Sequence, residues 1–248
     1  MRLLTQSVGF ELRLFFLLFV FCVGCSQTEP TPKSTSTLQQ KSAGDQPSIP
    51  WGGLDVVTSG VPLGDASQVL VMLHGYGASR EDLMPLAAQF RGESRAFVFA
   101  NAPVELPSGG KAWWTSDAQF MDAERRVVLL VKFLNESYPE TQVSIGGFSQ
   151  GATLASALIP HSELAIEHLV LYSPELFLDA AQLPENIQPF VFLSHGRSDN
   201  VLPFAGSRRL QEMLTRKGYK VNWHPFDGGH TITAEIIDAT REQLDGRQ

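Results

Sequence analysis

The chain has 248 residues, 43% of them hydrophobic and 18% charged, the composition of an ordinary globular protein long enough for one domain with a sizeable core. Nineteen basic side chains (Lys and Arg, 19) against 26 Asp and Glu give a formal charge of -7 with no concentrated basic stretch, which argues against a nucleic-acid partner. The only two cysteines, Cys22 and Cys25, stand near the N-terminus, so the body of the chain holds no disulfide framework, cysteine nucleophile or Cys-ligated metal.

In chain order, the first feature is an export signal. Arg2 and Arg13 precede the apolar run "LFFLLFVFCVG", Leu14 to Gly24, which has the length of a signal-peptide core and falls short of the roughly 20 residues that cross a bilayer. The following "CVGC", Cys22 to Cys25, resembles a bacterial lipobox, although Cys22 stands where leucine is usual. The expectation is a signal peptide over 1–24 and lipidation of Cys25, which gives an exported protein, membrane-anchored as a lipoprotein or periplasmic. Residues 25–50 are rich in Ser, Thr, Pro and Gln with almost no large apolar side chains, and read as a disordered tether. A folded domain is expected over 51–248.

From Trp51 onward, apolar runs of strand length alternate with helical periods, the pattern of a mostly parallel sheet flanked by helices. Strands are predicted at 68–74, 95–100, 142–148, 168–173, 189–195 and 220–226, with a further one near 54–58. Helices are predicted at 80–90, 123–137, 149–159, 206–217 and 232–244. The segment "AERRVVLLVKFLNES" carries the apolar stripe of a helix packed on a sheet. The basic pairs Arg125-Arg126, Arg208-Arg209 and Arg216-Lys217 fall in helical patterns and read as solvated faces.

In an open parallel sheet, ligands bind beyond the carboxyl ends of the strands, so the loops there matter most. The loop after the 142–148 strand begins "GFSQGA", a G-x-S-x-G pattern at a strand-to-helix junction, which offers Ser149 as a nucleophile on a sharp turn. A backbone N-H from Gln150 at the start of the helix, and one from Tyr76 in "HGYGAS", would stabilise an oxyanion, the former helped by the helix dipole. Serine needs a base held by a carboxylate. Of six histidines, His74 and His195 precede glycines at strand ends and read as structural. His161 and His168 look solvent-facing, and His224 falls inside a strand. His230, in the Gly-Gly loop after the last strand, is the base candidate. Asp199, after "LSHG", is the acid, with Glu175 and Asp227 as rivals. Serine, acid and histidine then follow in the order of α/β-hydrolases, and the fold class is α/β, an α/β-hydrolase fold with no large cap domain.

"HGYGAS", "GGFSQGA", "LSHGRSDNVLP" and "GGH" together resemble the phospholipase/carboxylesterase family, which includes acyl-protein thioesterases. The resemblance spans roughly 60–245. It implies hydrolysis of carboxylic esters or thioesters through an acyl-enzyme on Ser149, Asp199 and His230, with a small-molecule ester as substrate and neither cofactor nor metal. It also implies that one of Trp113 and Trp114 lines the acyl pocket. Where the family usually has serine and glycine, this chain has Ser173-Pro174-Glu175, which argues against anionic substrates. A serine peptidase on the same fold and a catalytically idle binding lipoprotein are the alternatives.

Overall fold

The computed structural model describes residues 50–184 and 189–246, all within one compact unit, Gln46–Gln248. The signal peptide, Cys25 and the tether up to residue 49 lie outside the described residues.

The elements follow in the order β1 (Val56–Gly60), β2 (Gln68–Leu73), α1 (Leu86–Gln89), β3 (Arg95–Ala100), β4 (Val104–Glu105), β5 (Lys111–Ala112), α2 (Asp117–Ser137), β6 (Gln142–Phe148), α3 (Gln150–Ser156), β7 (His168–Tyr172), β8 (Phe190–Gly196), α4 (Phe204–Arg216), β9 (Val221–Phe226) and α5 (Ala234–Leu244). Seven strands form one sheet in the order β1-β3-β2-β6-β7-β8-β9, and β4 and β5 make a small hairpin. All neighbours in the large sheet are parallel except β1, which runs antiparallel along β3.

Both faces of the sheet are covered, and for that reason its strands read as continuous apolar runs. Alternate residues divide between two cores. Val69, Val71 and Leu73 of β2 belong to the core that also takes in Val127, Leu130 and Leu134 of α2 and, further along the same face, Leu210 and Leu214 of α4. Leu70 and Met72 face the other way, with Leu86 of α1 and Ile236 and Leu244 of α5. On β3 the small Ala96, Val98 and Ala100 lie on the side of the long α2, whereas Phe97 and Phe99 fill the space on the other face.

Three elements differ from the sequence expectation. The helix expected over 80–90 is a 3-10 turn, Arg80–Asp82, followed by one turn of α-helix. Pro85 lacks the N-H a continuous helix would use, and it stands at the N-cap of α1 instead. Helix α2 begins at Asp117, six residues ahead of the expected start at 123. Ser116 caps it by accepting the Gln119 N-H, and its first turn is too polar to show an apolar period. The β4-β5 hairpin is too short to leave a pattern.

The strand order also places the site. From β2 the chain steps outward to β3 on one side, and from β6 it steps outward through β7, β8 and β9 on the other. Between β2 and β6 the connections diverge, which opens a crevice at their carboxyl ends. Ser149 follows β6 and Tyr76 lies just beyond β2, so both border that crevice.

Candidate active site

Ser149 adopts φ 56° and ψ -117°. An L-residue rarely occupies that region, at a cost of about 1–3 kcal/mol. Neighbouring groups hold it there. The Ser149 N-H donates to the Tyr172 carbonyl at the end of β7, at 2.9 Å, and the Ser149 carbonyl accepts from the Thr153 N-H and Oγ1 at 3.0 and 3.1 Å. The two flanking glycines serve the packing of the turn. A Cβ on either Gly147 or Gly151 would overlap the Leu73 carbonyl, so both let β6 and α3 close against β2. The crossing brings Gly75 in the loop beyond β2 against Ser149, where a Cβ on Gly75 would stand 3.4 Å from that of the serine.

His230 reaches this turn from the far edge of the sheet. Its ring packs on Phe148, the residue before Ser149, with centroids 4.7 Å apart. Its Nδ1 donates to Asp199 Oδ2 at 2.6 Å. The loops after β8 and β9 are zipped together to make this contact, through Arg197 N-H to the Phe226 carbonyl at 2.8 Å and Ser198 N-H to the Gly228 carbonyl at 2.9 Å. A side chain on Gly196 would strike the carbonyls of Gly228 and Gly229.

The Asp199 side chain is 0% exposed and that of His230 is 14% exposed. Burial alone would raise the Asp199 pKa. The hydrogen bond from His230 and the N-H groups of Leu202 and Val201, which bond Oδ1 at 2.9 and 2.8 Å, outweigh it and hold the carboxyl below its usual range. The rival acids stand elsewhere. Glu175 is exposed and is tied through its backbone N-H to Thr153 Oγ1 at 2.9 Å, and Asp227 is 95% exposed and pairs with Arg197 at 3.3 Å.

The backbone N-H groups of Tyr76 and Gln150 have no hydrogen-bond acceptor among the described residues. Helix α3 is only seven residues long, so its dipole adds little. The Gln150 side chain has a separate role that the sequence did not announce. Its Oε1 accepts the Trp113 N-H and its Nε2 donates to the Trp114 carbonyl, both at 2.8 Å, which fastens the Trp113-Trp114 segment beside the serine.

The two tryptophans part company. Trp113 is 0% exposed and donates its Nε1-H to the His74 carbonyl at 2.8 Å, so it is core and not pocket wall. Trp114 reaches the surface and begins an aromatic row: its ring meets Phe120 edge-on at 5.0 Å, and Phe120 lies 4.4 Å from the half-exposed Phe177.

The remaining histidines mostly serve structure. His74 Nδ1 donates to the Gly75 carbonyl at 2.8 Å while Nε2 accepts the Ala102 N-H at 3.1 Å, and His195 Nε2 bonds the Leu202 carbonyl at 3.1 Å. His224 stacks on Phe192 within the edge strand β9. Contrary to the solvent-facing expectation, His161 is held between Glu124 and Glu163 at 3.0 and 3.2 Å, and His168 packs on Phe190 as the first residue of β7. The side-chain contacts of Phe148, Gln150 and Thr153 gave no sequence signal beyond their positions next to Ser149, the first two inside the G-x-S-x-G motif.

A sheet of this order, with helices on both faces and a strained serine turn at its switch point, defines an α/β-hydrolase. The family model described as phospholipase/carboxylesterase matches residues 61–246, and the chain belongs to that family of carboxylesterase- and thioesterase-type hydrolases. MhqD of Bacillus subtilis (strain 168) is 25% identical over 186 residues, 72% of this chain and 93% of that protein. Acyl-protein thioesterase 1 of Neurospora crassa is 30% identical over 141 residues, 54% of this chain and 55% of its own length. The crystal structure of esterase PE8 superposes with a TM-score of 0.68 at 26% identity, covering 78% of this chain and 98% of that one.

Proposed function

We propose that the protein is a serine carboxylesterase, with thioesters within its chemical range. The observation that carries the reading is the 2.6 Å bond between Asp199 and His230, set against the ring of Phe148 beside the strained Ser149. With its Nδ1-H bound to Asp199, the neutral imidazole presents Nε2 as the base. Ser149 Oγ attacks the ester carbonyl and passes its proton to His230. The carbonyl oxygen takes on negative charge and is held by the free N-H groups of Tyr76 and Gln150. Collapse of the tetrahedral adduct expels the alcohol or thiol, which leaves with the proton from His230 and an acyl group on Ser149. Water then attacks the acyl-enzyme, with His230 again as base, and releases the acid.

The aromatic row Trp114, Phe120 and Phe177 supplies an apolar wall for one arm of the ester. Among the described residues, the connection from β7 to β8 holds only a 3-10 turn, Ala180–Gln182, which suits an open cleft and small or extended esters. Location outside the cytoplasm, through a lipidated Cys25, rests on the sequence alone. Cys25→Ala releases the protein from the membrane fraction if the anchor is real, and an unchanged distribution refutes it.

The function is tested with a fluorophosphonate probe and a panel of p-nitrophenyl esters of increasing acyl length. The wild type labels, Ser149→Ala does not, and Asp199→Asn loses about 10⁴-fold in kcat. An unlabelled wild-type protein refutes the enzyme reading, and near-normal turnover in Asp199→Asn refutes the assignment of the acid.

A further inference from the structure

The Asp199 carboxylate is shared by two imidazoles. Oδ2, the oxygen bonded to His230 Nδ1 at 2.6 Å, also stands 3.1 Å from His195 Nε2, and the side chains of His195 and Asp199 are both fully buried. Oδ1 is taken by the N-H groups of Val201 and Leu202. Three hydrogen bonds therefore hold one carboxylate, with a fourth N-H group, that of His195, close beside Oδ2.

His195 is itself held from behind. Its Nδ1 lies 2.7 Å from Ser207 Oγ on α4, an oxygen that also stands 3.0 Å from the Pro174 carbonyl, and its ring meets Phe204 edge-on at 5.9 Å. Proton placement follows from the partners. Nε2 faces two acceptors, donating to the Leu202 carbonyl at 3.1 Å with Asp199 Oδ2 also 3.1 Å away, so it carries the hydrogen, while the Ser207 hydroxyl donates its own to the Pro174 carbonyl. Burial favours this neutral form, against the opposing pull of the Leu202 carbonyl and Asp199. The charged or titratable groups around the ring are Asp199 and His230 in the two loops. From α4 it meets only the Ser207 hydroxyl and the Phe204 ring, over which Arg197, already paired with Asp227, lies at 5.6 Å.

We propose that His195 is a positioning residue for the hydrolysis: its Nε2-H, anchored on the Leu202 carbonyl and 3.1 Å from Asp199 Oδ2, keeps that oxygen on His230 and draws off part of the carboxylate's charge. The proposal rests on the Ser149-Asp199-His230 reading. Two consequences separate it from simple core packing. Without the neighbouring N-H, Oδ2 is held by His230 alone, its alignment on the imidazole loosens within the limits set by the bonds to Oδ1, and turnover falls. Its full charge then also bears on the proton it shares with His230, so the base is lost at a higher pH.

The test uses the full chain as wild type, His195→Phe, His195→Gln and Ser207→Ala, first labelled with the fluorophosphonate and then assayed on p-nitrophenyl acetate across pH. His195→Phe is expected to lose about 10-fold in kcat, the loss of one close N-H contact to a charge, with KM changed by less than about twofold. The low-pH limb of its kcat/KM profile moves to higher pH. His195→Gln, whose amide N-H reaches for the same oxygen, recovers most of the turnover, and Ser207→Ala moves the limb in the same direction by a smaller amount. If His195→Phe does not fold, the Gln and Ala variants decide. A limb that stays in place in both, with kcat reduced only in proportion to the folded fraction by circular dichroism, overturns the proposal while leaving the triad reading intact. Absence of labelling at Ser149 in the wild type overturns both.

Discussion

At Ser149, the proposed nucleophile, the backbone is strained. The residue is one of three non-glycine residues with positive φ among the described positions, with Trp51 and Ser173. Glycine occupies such a conformation without penalty, so Ser149→Gly abolishes turnover and stabilises the fold by about 1 kcal/mol, the strain relieved less the backbone freedom glycine regains on unfolding. Thermal unfolding checks this, with a midpoint raised by roughly 2–4 °C expected for a domain of this size and a lowered midpoint counting against it. The G-x-S-x-G spacing made the serine legible in sequence because two glycines and a strand-to-helix junction are local features. The second imidazole on Asp199 was not legible in the same way. His195 and Asp199 are four residues apart, but only the turn of their loop back onto β8 shows that the ring and the carboxylate share a buried point.

At the scale of elements, the close crossing of β6 and α3 over β2 sets the site. Gly147→Ala would drive a Cβ into the Leu73 carbonyl, a backbone atom that cannot swing aside, and should cost about 3 kcal/mol or more. Gly64→Ala, where nothing lies within 4 Å, is the control and should stay within about 0.5 kcal/mol of wild type. Urea unfolding of the two variants measures the contrast, and equal midpoints would show that the crossing tolerates a methyl group. The buried strands were readable because both faces of the sheet are apolar, and β3 and β6 match their expected bounds. The helix expected over 80–90 failed because its apolar spacing survives the break at Pro85: periodicity reports which residues face the core, and not whether the backbone between them is continuous.

Across the whole molecule, the histidines set how stability responds to acid. Burial holds His74, His168, His195 and His224 below the ordinary value of 6.5. Each takes up a proton on unfolding before it would in the native state, so its stabilising contribution is complete above that value and is lost as pH falls. His161 works in the opposite sense: burial is outweighed by Glu124 and Glu163, its pKa is raised, and its contribution is present below 6.5 and lost as pH rises through the folded value. Four against one gives a net loss, with each buried histidine bounded at about 1.4 kcal/mol per pH unit. The urea midpoint should therefore be lower at about pH 5.5 than at pH 7, and a higher midpoint at the acid end would refute the balance. None of this was visible in sequence, where six histidines differ only in their neighbours along the chain.

The loops of this sheet divide their labour. The proposed reacting groups, Ser149, Asp199 and His230, occupy the connections after β6, β8 and β9, whereas the aromatic row of Trp114, Phe120 and Phe177 comes from the connections after β3 and β7. On the proposed reading, substitutions that reshape substrate preference fall on segments that carry none of the three triad residues. Mutational drift in ester choice can accumulate there while the reaction itself is preserved, and a laboratory search for new substrates has a bounded set of positions in which to begin.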